Sequence, residues 1–290
     1  MSLKSAIDRL YKPEYLIKTP APEGGDYDAK RIYSTLVRFS WPAALEATLV
    51  GFISFADAIM VGKVGPEAIA AVGVTNQPRF IFFAVFFALN VGVTAIVSRR
   101  KGEEDRQRAN RSMGQAFALG IALSIVLCAA ALIFARPIIE LAGAGEDILD
   151  EAVTYFKITM TGLTFTSLMM IINAAQRGVG DTRTAMITNL AANVVNIILN
   201  YFLINGVWFF PRLKVKGAAI ATLTGNVTGF LIAFWSSRRK NRFLRLTLKD
   251  CLSFDLQNIK LIINISSSAA IEQMFIRIGF FIYAMLVAKL

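Results

Sequence analysis

The sequence predicts an all-α, polytopic membrane protein. Three observations predict it: repeated apolar runs of spanning length, a one-sided distribution of basic residues among the connections, and an internal repeat. Of 290 residues, 55% are hydrophobic, and the mean hydropathy is +0.54. Run length decides the class, because a hydrocarbon core about 30 Å thick needs about 20 apolar residues in a helix. The sequence offers seven such runs, at roughly 38–61, 75–98, 112–135, 152–174, 184–205, 216–237 and 260–288.

The connections alternate in charge. The tail 1–38 and the segments 99–111, 176–183 and 238–260 together hold 22 Lys and Arg, whereas 62–79, 136–151 and 206–216 hold six. The excess of basic residues places the tail and the even connections in the cytoplasm of a cell-membrane protein. The first 35 residues are polar, with a Pro/Gly stretch at Thr19–Gly25, and read as a flexible cytoplasmic tail and not a cleaved signal. Residues 238–259 read as a basic cytoplasmic linker.

The net charge of +11 would suggest nucleic acid in a soluble protein. Here the basic residues sit between apolar runs and set orientation, so no nucleic-acid partner is expected. Histidine is absent, which excludes histidine-based catalysis and proton relays. The two cysteines, Cys128 and Cys251, form neither metal-ligand spacing nor a disulfide framework. No serine nucleophile elbow or paired metal-binding acids appear, so no enzymatic role, cofactor or bound metal is expected beyond a coupling Na⁺ or H⁺.

The repeat sets the architecture. Leu36–Val64 aligns with Ile262–Leu290, pairing Ser40 with Ser266, Ala43 with Ala269, Glu46 with Glu272 and Lys63 with Lys289. The glutamate pair carries most weight, since an intramembrane carboxylate is rare. The seventh helix therefore reads as the first of a second copy, running parallel to the first. The expected organisation is a six-helix lobe over 36–237, the linker, and one helix of a second lobe over 260–290; a natural seven-helix protein is the alternative.

Polar residues inside the spans mark the candidate site. Glu46 and Asp57 are eleven residues apart, within about 20° of one face and about 16 Å along the first helix. Two carboxylates on one stripe suggest a polar cavity or an ion path, because removal from water favours neutralisation by a proton or by Na⁺. The alternative places Asp57 at the outer interface and pairs Glu46 with a basic neighbour. On the fifth helix Asn189, Asn193, Asn196 and Asn200 share an arc of about 60°, which should face the lobe interior. They either coordinate an ion or hold helices together by hydrogen bonds. Thr222 or Thr224 could add a hydroxyl. Pro42 should kink or start the first helix. Lys157, Arg79 and Arg277, near helix ends, should snorkel to the interface. In the segment Arg177–Arg183, glycines permit a tight turn, and Asp181 or Thr182 can cap the next helix.

Several motifs resemble the multidrug and toxic compound extrusion (MATE) family. They are Trp41-Pro42-Ala43-Ala44-Leu45-Glu46 followed by Asp57-Ala58-Ile59-Met60-Val61-Gly62, Gly92-Val93-Thr94-Ala95-Ile96-Val97-Ser98-Arg99, Asn173–Arg183, and Lys216–Thr222. Their order and spacing carry the resemblance over about residues 36–290. It implies a twelve-helix transporter of two six-helix lobes, exporting organic cations or other amphiphiles in exchange for Na⁺ or H⁺. The implied cation-coupling residues are Asp57, Asn196, Asn200 and Glu46; Glu272, Asn193 and Thr222 are weaker candidates for the solute cavity. At the position of Asn200 some relatives carry aspartate, so this lobe has one carboxylate fewer and Asp57 bears more of the coupling. A flippase for a lipid-linked saccharide is the alternative, although it would want several basic residues in the cavity. A non-transporting fragment is another.

Overall fold

The computed structural model describes residues 29–208, 210–239, 243–253 and 255–287. Most of the expected tail thus lies outside the described residues, but residues 29–35 are already helical. The chain divides into two compact units, Met1–Leu45 and Glu46–Leu290. Helix α1 (Ala29–Gly62) crosses that division and continues through Pro42, which neither starts nor ends it. The described part of the first unit is this helix. The second unit contains the rest of α1 and all later elements.

Helix α2 (Pro66–Gly102) starts on proline at its first position, where the absent N–H costs nothing. Helix α3 (Arg106–Ile133) is capped by Asp105, whose side chain accepts from the Arg108 N–H. The short α4 (Ala135–Leu141) leads to α5 (Glu146–Thr161) and α6 (Leu163–Gly178). These two were expected as one straight fourth span, yet they meet at Gly162 with a 45° bend. Glycine suits the break, because a Cβ on Gly162 would lie 2.9 Å from Leu223 Cδ1 and 3.1 Å from the Thr159 carbonyl.

Helix α7 (Thr182–Asn205) begins as predicted, with Asp181 Oδ1 accepting from the Thr184 N–H at 3.2 Å. Gly180 ahead of it has φ +86, a backbone that L side chains rarely adopt. Left-handed Gly206 closes α7, and α8 (Lys214–Ser237) follows. The predicted linker contains a short helix, α9 (Leu248–Leu252), before the final α10 (Leu256–Val287). Six of these helices are long and apolar enough to cross a membrane, or seven if α5 and α6 form one broken span. Most run past the expected limits, because their polar ends remain helical beyond the apolar core.

Within the second unit α7 packs most extensively on α8, and α10 packs on α2. One core joins Val93 and Val97 of α2, Met113 of α3 and Ile171 of α6. Another joins Val61, Ala68, Tyr155, Ile204 and Ala218, beneath the polar cavity described below. The basic ends are tied by side chains. Ser112 Oγ donates to Asn258 Oδ1 at 2.9 Å, Asn258 Nδ2 donates to Gln115 Oε1 at 2.5 Å, and Gln115 Nε2 donates to the Ser253 carbonyl at 2.6 Å.

Candidate functional site

The asparagine row of α7 meets the acidic face of α1. Asn200 Nδ2 donates to Asp57 Oδ1 at 2.8 Å. The Asn196 amide nitrogen also faces this carboxylate, donating to Oδ1 at 3.2 Å and Oδ2 at 3.0 Å, while its oxygen accepts from the Thr222 hydroxyl and backbone N–H, both at 3.1 Å. The opposite amide orientation would set oxygen against the carboxylate, so the hydrogen-bond network fixes this one. Asn196 and Asn200 are 7% and 2% exposed, and Asp57 is half-buried. Asn200 Oδ1 is buried and accepts no hydrogen bond. It is an oxygen donor available to a cation beside a carboxylate.

Eleven residues earlier on each helix the pattern recurs. Asn189 Nδ2 donates to Glu46 Oε1, with the same sequence offset of 143 that separates Asp57 from Asn200. The Asn189 oxygen accepts from Asn173 Nδ2 at 3.1 Å, and Arg177 Nη1 lies 3.7 Å from Glu46 Oε1. Glu46 therefore has the basic partner that the bland reading anticipated, and it occupies a polar cluster of its own instead of sharing the site at Asp57. Asn193 turns back to its own helix, donating to the Asn189 carbonyl at 2.8 Å. Thr224 is exposed and bonds to the Ile220 carbonyl. Of the two threonines, only Thr222 joins the site.

A cavity of about 460 Å³ opens beside Asp57. Asp57, Asn200 and Thr222 line one side, and Asn76, Arg79 and Phe80 of α2 line another, with Tyr155 of α5 contributing aromatic surface. Arg79 thus departs from the interfacial position expected of it. Its guanidinium lies 6.0 Å from the centre of the Tyr155 ring, and its Nε is buried without a hydrogen-bond partner. Arg277 of α10 likewise packs inward, 4.8 Å from the Phe80 ring centre and 5.3 Å from that of Phe87. Lys157 is exposed. Glu272 is exposed on α10 and does not line this cavity, so the expectation that it faces the pocket fails for the cavity at Asp57. The repeat matched its position along a helix, but a side chain's surroundings depend on neighbours that the alignment did not carry.

Asn76, Arg79, Asn173 and Arg177 are among the polar residues that periodicity did not bring to the site. Asn173 and Arg177 stand four apart at the basic end of the fourth apolar run, so they share one helical face. That spacing was a usable signal. Arg79 gave a weaker one, an arginine followed by the aromatic run Phe80, Phe82 and Phe83.

Comparison with known proteins places these features in a family. The MatE family model matches residues 42–202. The FAD transporter of Shewanella oneidensis is 36% identical over 177 residues, which cover 61% of this chain and 39% of that protein. The probable multidrug resistance protein NorM of Thermotoga maritima is 29% identical over 215 residues, 74% of this chain and 45% of the relative. The solved structure of a MOP superfamily transporter from Pyrococcus furiosus aligns with a TM-score of 0.77 and 26% identity, covering 85% of this chain and 54% of that one. The chain thus spans about half the length of the curated relatives it matches.

Proposed function

This chain belongs to the MatE family, and on that premise we propose that it forms one lobe of a secondary transporter that exchanges a cation held at Asp57 for an amphiphilic solute. As a family member with several spanning helices it is a multi-pass membrane protein; the cell membrane and a cytoplasmic N-terminus belong to the proposal, supported by the asymmetry of basic residues. The carrying observation is that Asp57, which accepts from the Asn196 and Asn200 amides, lines the cavity together with Asn200. A proton or Na⁺ neutralises the carboxylate and competes with the asparagine amides for it, which couples ion occupancy to the packing of α1 on α7. Na⁺ would find carboxylate and amide oxygens there, ligands suited to a hard cation. A second lobe completes the alternating-access machine, in keeping with the two-repeat plan of such transporters.

The curated relatives carry names of different substrates, an FAD transporter and multidrug resistance proteins, so family membership leaves the solute open. The saccharide-lipid alternative is favoured by one basic residue in the cavity, Arg79, and a pyrophosphate would call for more. The deciding experiment expresses the full-length transporter containing this lobe in a pump-deficient cell. Ethidium accumulation should fall, and Asp57→Asn should abolish that effect at equal expression. Unchanged efflux from Asp57→Asn would remove Asp57 from the mechanism.

A further inference from the structure

Arg79 and Arg277 stand well inside α2 and α10, two helices of spanning length. Arginine stays protonated at any physiological pH, so each must find an anion, water or an aromatic face. Among the described residues neither Arg79 nor Arg277 has a carboxylate within ion-pair distance, and the Nε of each is buried without a hydrogen-bond partner. Ring faces supply part of the compensation: Tyr155 for Arg79, and Phe80 and Phe87 for Arg277. Rings cannot accept a hydrogen bond in the bidentate manner that a guanidinium offers to carboxylate or phosphate.

The placement gives these charges a common focus. Arg79 and Phe80 line the same cavity as Asp57, and Arg277 lies against the Phe80 ring, one aromatic thickness from that cavity. The cavity is therefore bipolar. Its α1–α7 wall presents the Asp57 carboxylate and the Asn200 amide to a cation, whereas its α2 wall presents Arg79 beside the Phe80 ring.

Resting on the reading of this cavity as the solute site, we propose that its solute is an aromatic amphiphile bearing a phosphate or carboxylate. The anionic group binds Arg79, the rings lie against Phe80, which is 38% exposed, and Arg277 beside the Phe80 ring adds positive potential. At about 460 Å³ the cavity is within the ordinary range for small-molecule sites, roughly 300–1,000 Å³.

Flavin mononucleotide and riboflavin test this directly, since they share a ring system and differ by one phosphate. Binding of each to the purified chain in detergent is followed by flavin fluorescence, with ethidium as a cationic aromatic control and circular dichroism to confirm folding. Flavin mononucleotide should bind at least about tenfold tighter than riboflavin at low salt, the scale of one charge-assisted contact. Arg79→Gln should remove most of that ratio while leaving riboflavin within about twofold, and Arg79→Lys, which keeps charge without the fork, should fall between. Arg277→Gln should reduce the ratio less. Equal affinity for the two flavins, or a ratio untouched by Arg79→Gln, overturns the proposal. If ethidium alone binds and Asp57→Asn weakens it, the anionic solute class fails while the cavity stands. If none of the three probes binds, the reading of the cavity falls with the proposal.

Discussion

Replacing Gly225 by alanine should damage both stability and the ion site, for one geometric reason. A Cβ at this position would stand 2.6 Å from the Ala192 carbonyl oxygen, 3.0 Å from Asn196 Cβ and 3.4 Å from Asn196 N. The first of these atoms is main chain of a packed helix and cannot swing aside, so α8 must retreat from α7. Overpacking of this sort costs about 1–3 kcal/mol, and a domain of 150–250 residues loses about 2–4 °C of melting temperature per kcal/mol. Because Thr222 lies three residues before Gly225, on the same face of α8, the retreat also withdraws the anchor that orients Asn196 toward Asp57. Gly51→Ala is the matched control: nothing lies within 4 Å of its Cβ, and alanine gains up to about 1 kcal/mol of helix propensity. Loss of helical circular dichroism on heating in detergent reads both variants. Gly225→Ala should melt several degrees below the parent and Gly51→Ala at or above it. A Gly225→Ala protein as stable as the parent would refute the close α7–α8 approach and the support for Asn196 that follows from it.

Three further experiments probe ties elsewhere in the fold. Asp181→Ala removes the side chain that caps α7 and should cost about 1 kcal/mol in the same melt. Gln115→Leu strands the Asn258 amide and the Ser253 carbonyl; with Gln115 only 2% exposed, the cost should be about 1–3 kcal/mol. For Glu46 and Arg177, a double-mutant cycle with Glu46→Gln and Arg177→Gln should give a coupling below about 1 kcal/mol, since the atoms are 3.7 Å apart and the arginine side chain is 36% exposed.

The spans were legible because apolar run length is a strong and local signal, and so was the Asp181 cap, which depends on residues three apart. Periodicity set the asparagines on one arc and marked Asp57 as a carboxylate in need of partners; the family resemblance singled out Asn196 and Asn200 from that arc, and Thr222 was one of two threonines equally placed by the sequence. The break at Gly162 was not, since the apolar run continues through it; the close neighbour that suits glycine there, Leu223, is sixty-one residues away in sequence. Arg79 and Arg277 were misread for a related reason. Position near the end of an apolar run suggests snorkelling, but whether a long side chain turns outward or inward depends on which rings stand beside it. Tyr155 and Phe80 come from other segments, and periodicity within one helix cannot report them. Glu272 failed in the opposite direction, because similarity to Glu46 along the chain carried no information about the neighbours that make Glu46 half-buried.

The shared offset of 143 residues between Glu46 and Asn189 and between Asp57 and Asn200 has a mechanical meaning. Eleven residues make three turns of an α-helix, at about 3.67 residues each, so both contacts fall on one line along α1 and one line along α7. The two helices therefore run parallel and in register across about 16 Å. A rotation of α1 about its axis that turned Asp57 away from Asn200 would turn Glu46 away from Asn189 by the same angle, since one rigid helix carries both. Neutralising Asp57 removes the negative charge on which Asn196 and Asn200 donate, and thus weakens one end of this seam. At the other end Glu46 is held by Asn189 and, more loosely, by Arg177. On the function proposed above, a cation at Asp57 would thereby gain leverage on a polar cluster three turns distant through register alone, with no chain of intervening side chains required.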